Sequence, residues 1–245
     1  MNYIQALLLL AAGLLGLTGC SSSPTESPTD TTQSAMSDTS DSLATGQASA
    51  ASASELRYTP TDEARRAAIE EYARQQPGST PAAVEKFVAM FGPGDYGPLY
   101  ARLLERSGLR NDDVADAFAA YTVVTYRVAH GEAPEGAFLP AGPSAAVRAQ
   151  FAPLATKMLA GQPATTKAQL GELMKLQAVL VYVGAQQPNP TFRQNVARKF
   201  LELYKLDVHA LTLTDKGLQE PGGASALATT ADPATAPEAA VPAAT

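Results

Sequence analysis

His130 and His209 are the only imidazoles in the chain, so any histidine-based general-base or metal chemistry must use one of them. His130 stands in "RVAHGEAPE" beside Glu132 and Glu135, a grouping suited to acid/base work or to a metal, although the spacing is not the i, i+4 ligand pair of a helical zinc motif. The same imidazole fits a plainer role at a helix C-terminus, where it meets the negative end of the dipole. Asp116 lies in "NDDVADAF", two residues before Phe118. If buried, its charge requires a partner, and Arg57 or Arg65 of "LRYTPTDEAR" is the expected source. Arg57, Asp116 and His130 are therefore the candidate catalytic residues, with a structural ion pair as the alternative for Asp116. His209 follows Asp207, where bonding to a local turn accounts for it. Gln177 falls on an apolar stripe with Leu170, Leu173, Met174, Leu180 and Gly184, so its amide needs partners in the core. There is no GxSxG elbow, no Gly-rich phosphate loop and no HExxH pair, and the reading expects neither a cofactor nor a metal site.

One more reactive side chain remains. Cys20 is the sole cysteine, which excludes an internal disulfide and a CxxC metal or redox pair. It follows an apolar run from Ala6 to Leu17, too short to span a bilayer as a helix and of the length of a signal-peptide core. Leu17-Thr18-Gly19-Cys20 resembles the lipobox of bacterial lipoproteins. That resemblance implies removal of residues 1–19, lipidation of Cys20 and attachment to a membrane through acyl chains. Ser21, in place of an aspartate that would resemble an inner-membrane retention signal, directs the expectation to the outer membrane, facing the periplasm.

The elements that must position these residues occupy the middle of the chain. Residues 20–54 are Ser, Thr, Ala, Asp and Pro with almost no large apolar group, the composition of a disordered tether, and 221–245 form an Ala/Pro/Thr-rich tail of the same character. All 18 Lys and Arg lie between Glu55 and Glu220, whereas six of the 24 acids lie outside, so the net charge of −6 belongs to the ends and the interior is formally neutral. A neutral domain lacks the basic footprint of a nucleic-acid binder. Residues 55–220 suit one domain with a single core.

Gly and Pro divide that domain into helices. Capping and spacing predict a first helix from Thr61 to about Gln76, then Ala82–Phe91, Pro98–Ser107, a long helix capped by Asn111 and closed by Arg127, His130 and Gly131, then Ser144 to about Ala160, Thr166 to about Gln187, and Thr191–Leu206. Tyr121–Tyr126 and Val179–Val183 carry the β-branched and aromatic composition of strands. Each sits inside an unbroken segment of helical length, so both are read as helix. The expected fold is all-α, a single domain of six to seven helices flanked by disordered ends.

Three blocks, "LRYTPTDEAR" at Leu56–Arg65, "GLRNDDVADAFAAY" with "AHG" at Gly108–Gly131, and "KLDVHALTLTDKGL" at Lys205–Leu218, resemble an uncharacterised bacterial domain-of-unknown-function family. Members carry a tryptophan after the position of Tyr121; this chain has Thr122 there and no tryptophan anywhere. The resemblance implies a helical domain and no assigned activity. The leading functional expectation is a lipid-anchored, periplasm-facing binding or scaffolding protein with an envelope protein as partner. The alternatives are an envelope hydrolase with a site near Asp116, His130 and Arg57, and a small-ligand sensor.

Overall fold

The computed structural model describes residues 55–76, 78–91, 96–132, 138–187 and 189–227. The signal segment, Cys20, the tether to residue 54 and the tail beyond residue 227 lie outside them. Seven α-helices are found among the described residues: α1 Asp62–Arg74, α2 Pro81–Met90, α3 Gly97–Leu103, α4 Val114–Ala129, α5 Ala141–Leu159, α6 Ala164–Ala185 and α7 Pro190–Tyr204. A 3-10 turn at Val208–Ala210 and a two-stranded hairpin, β1 Thr212–Thr214 and β2 Gly217–Gln219, follow.

The fold is organised around α4 and α6, which pack against each other. Fourteen of the sixteen residues of α4 are buried, so this helix has no solvent face. Its alanines at 115, 117, 119, 120 and 129 let neighbours approach closely, while Val114, Phe118, Tyr121, Val123, Val124 and Val128 fill the space between them. α5 and α7 lie on other sides of α4, α1 covers α6, and α2 packs on α1. Both strand-like runs are helical, because a β-branched side chain costs a helix only tenths of a kcal/mol while its burial gains roughly 1.5–3 kcal/mol. Thr122 places its hydroxyl 2.9 Å from the Tyr204 hydroxyl of α7.

Three local features differ from the sequence reading. The cap of α4 is Asp113, not Asn111: its carboxylate accepts from the N–H groups of Ala115 and Asp116 at 2.9 and 3.1 Å. The helix starts late because Asp113 is held extended against Arg57 in the first described segment, with Tyr58 N–H donating to Asp112 O and Val114 N–H donating to Leu56 O. The hairpin is the second difference, its three-residue strands being too short to show an alternating pattern. Gln150 of α5 holds it: the side-chain carbonyl accepts from Leu218 N–H at 3.0 Å, and the amide donates to Leu218 O at 3.0 Å and Ser225 Oγ at 2.8 Å. Thirdly, packing continues past Glu220. Ala226 and Leu227 are buried, and Ala226 N–H donates to Leu218 O.

Candidate functional site

The densest polar chemistry lies inside the helical layer at the N-terminal end of α4. Glu172 and Lys175 sit one turn apart on α6, both buried, with Lys175 Nζ 2.6 Å from Glu172 Oε1. Tyr58 donates to the same oxygen at 3.1 Å and Tyr96 to Oε2 at 2.6 Å, while Arg65 Nε of α1 stands 3.6 Å from Oε2. Lys175 also donates to Asn111 O at 3.1 Å and has the rings of Tyr58 and Tyr100 within 5.7 and 5.4 Å. Gly171 makes this arrangement possible: a Cβ there would come within 2.3 Å of the Tyr58 ring, so only glycine lets the ring lie on α6 and reach Glu172.

Burial lowers the pKa of Lys175 while the charge of Glu172 opposes that shift. Burial and the Glu172 carboxylate push the phenols of Tyr58 and Tyr96 far up, which keeps them protonated as donors. The Tyr100 hydroxyl is buried with no hydrogen-bond partner among the described residues, and burial followed by the charges of Asp116, Glu172 and Asp113 raises its pKa well above the ordinary phenol value. Breaking one side of such a buried pair costs about 3–5 kcal/mol, so the cluster fixes α1, α3 and α6 in one register.

Asp116 belongs to an adjoining pair. Its Oδ1 lies 2.7 Å from Arg148 Nε of α5, and Oδ2 accepts from Arg110 N–H at 3.1 Å. Arg148 also reaches Asp113 Oδ2 at 3.4 Å. Burial first and the neighbouring Asp113 charge second push the Asp116 carboxyl up to about 6, with Arg148 and the Arg110 N–H acting against them. The partner of Asp116 is thus Arg148. Arg57 and Arg65 serve other carboxylates: Arg57 pairs at the surface with Asp112 at 3.6 Å, and Arg65 with Asp62 and Glu172.

The structure places Arg57 and Asp116 at one end of α4 and His130 at the other, about 21 Å away by helical rise. His130 caps α4 and is exposed; its Nδ1 lies 2.9 Å from Tyr126 O and its ring stacks on Tyr126. His209 in the 3-10 turn meets it, with ring centroids 5.4 Å apart. Asp207 caps that turn through His209 N–H. Gln177 is half-buried on α6. Among the described residues no group of three or more His, Cys, Asp or Glu could hold a metal ion.

A cleft of about 750 Å³ opens between α1 and α2, away from both charged clusters. Ile69, Val84, Val88 and Phe91 supply its apolar lining and Arg66, Glu70, Arg74 and Glu85 its polar one. Arg66 pairs with Glu70, and Arg74 with Glu70 and Glu71, so these charges are largely neutralised.

Sequence reasoning missed Glu172 and Lys175. The available signal was on their own helix: Leu170, Leu173, Met174, Leu176 and Val179 spread over more than half the circumference of α6, which marks a segment buried on most sides and makes a charge within it a buried one. No family model, no curated protein and no solved structure matches the chain. No helix among the described residues is long and apolar enough to cross a membrane.

Proposed function

We propose that this is a lipid-anchored, periplasm-facing binding protein whose α1–α2 cleft receives an amphipathic helix of another envelope protein. The observation that carries the docking surface is α2 itself. Its sequence, PAAVEKFVAM, is mostly apolar, yet none of its residues is buried and Met90 is 66% exposed. A helix of that composition ordinarily hides one face. Here α1 covers only part of it, and a third helix laid in the cleft would complete ridge-into-groove packing on Val84 and Val88. Because Glu70 and Glu85 balance Arg66 and Arg74 in its lining, the cleft favours an apolar face over a highly charged one. Anchoring rests on the lipobox-like Leu17–Cys20 and on Ser21 for the outer membrane. The hydrolase alternative needs Asp116 and His130 in one site, and α4 holds them apart.

Two measurements test the two halves separately. Cys20→Ala should abolish acyl labelling and leave the uncleaved precursor, and unchanged labelling would end the anchoring claim. A photoreactive side chain at Ala89 should give a cross-link to an apolar helical segment of one envelope protein, lost when Val88 is replaced by Asp. Equal cross-linking from Ala89 and from exposed Arg198 on α7 would remove the docking surface.

A further inference from the structure

We propose that His130 and His209 form a two-imidazole Zn²⁺ site joining the end of α4 to the 3-10 turn. The chain has two histidines, 79 residues apart in sequence, and the fold brings their rings together on one exposed face. The His130 ring is fixed by a hydrogen bond. A carbonyl oxygen only accepts, so the 2.9 Å contact of His130 Nδ1 with Tyr126 O places the ring proton on Nδ1 and leaves Nε2 with the free lone pair. Metal-bound imidazoles commonly donate their other ring N–H to a backbone carbonyl in this way. Tyr126 supports the site twice: its ring stacks on His130 at 4.1 Å, and its hydroxyl donates to Leu211 O at 3.4 Å, tying α4 to the segment that carries His209. Asp207 fixes the backbone of His209 from the other side.

The spacing leaves room for a bridging ion. Two imidazoles bound at ~2.0–2.1 Å with a tetrahedral angle between them hold their centroids roughly 5.2 Å apart. The observed separation is 5.4 Å. A right-angled pair, as in square-planar or octahedral coordination, would bring them to about 4.5 Å at the same bond length. The remaining positions are open. Glu132 is engaged by Arg127, and Asp207 by His209 N–H, so water or an incoming anion completes the shell. The guanidinium of Arg193, which lies over Gly131, adds a positive charge beside the site that suits an anionic ligand. Helical spacing could not reveal this pair, because one ligand is on a helix and the other on a distant turn.

The test uses the full chain with Cys20→Ser, so that no thiol competes, stripped of metal and titrated with Zn²⁺ by calorimetry. One Zn²⁺ per chain is expected, weakened tenfold or more by His130→Gln and equally by His209→Gln. Both side chains are exposed, and circular dichroism verifies that each variant keeps its helices. Zn²⁺ should also raise the Tm of the parent and leave that of either variant unchanged. Absence of Zn²⁺ binding, or binding that survives either substitution, overturns the proposal.

Discussion

At the scale of single residues, Asp116 shows how a short ion pair and an unfavourable charge coexist. Arg148 is 2.7 Å away, yet burial and Asp113 prevail and the carboxyl is pushed up to about 6. A carboxyl whose folded pKa exceeds its unfolded value binds its proton more tightly in the native state, so its contribution to stability is present below about pH 4 and is lost as pH rises through about 6. The two-unit gap corresponds to roughly 2–3 kcal/mol. Urea denaturation of the parent and of Asp116→Asn should therefore show the parent losing about that much relative to the variant between pH 4 and pH 7. Parallel pH profiles would mean that Arg148 holds the carboxylate charged in the native state across the whole range.

At the scale of the element, Gly171 sets two effects against each other. Alanine is favoured over glycine inside a helix by about 1 kcal/mol, but its Cβ would overlap the Tyr58 ring and displace the hydroxyl from Glu172. Overpacking costs about 1–3 kcal/mol and a lost hydrogen bond about 1 kcal/mol, so Gly171→Ala should destabilise the protein by roughly 1–3 kcal/mol. In a Tyr58→Ala background the sign should reverse, and a double-mutant cycle in denaturant measures the change. Helices were the legible part of this chain. Thr61 and Thr80 cap α1 and α2 as their positions suggest, and the strand-like Tyr121–Tyr126 run lies within α4 because the surrounding sequence gives a strand no place to turn. What could not be read was set by contacts distant in sequence. Asp113 replaces Asn111 as the cap because Leu56 and Tyr58 hold its backbone extended, and Asp116 turns to Arg148 on a helix that begins 25 residues later. Cap and pairing rules describe neighbours along a chain, and these partners become neighbours only through tertiary packing.

At the scale of the whole molecule, the described fold closes on itself through its last residues. Gln150 grips both β2 and Ser225, and Leu227 is 1% exposed. A chain ending at Glu220 should be about 2–4 kcal/mol less stable in urea than one ending at Leu227, from the buried leucine and the lost Gln150–Ser225 hydrogen bond. Equal stability of the two shortened forms would show that residues 221–227 add nothing to the closure. The opposite end of the fold has a mechanical consequence. Leu56 O accepts from Val114 N–H, Tyr58 N–H donates to Asp112 O, Lys167 Nζ reaches Glu55 O, and the side chain of Leu56 is buried. A load applied at Glu55 therefore meets these bonds first and passes into α4 and α6. Because α1 and α2 come later in the chain than this clamp, the cleft between them stays off the direct path of a load applied at Glu55.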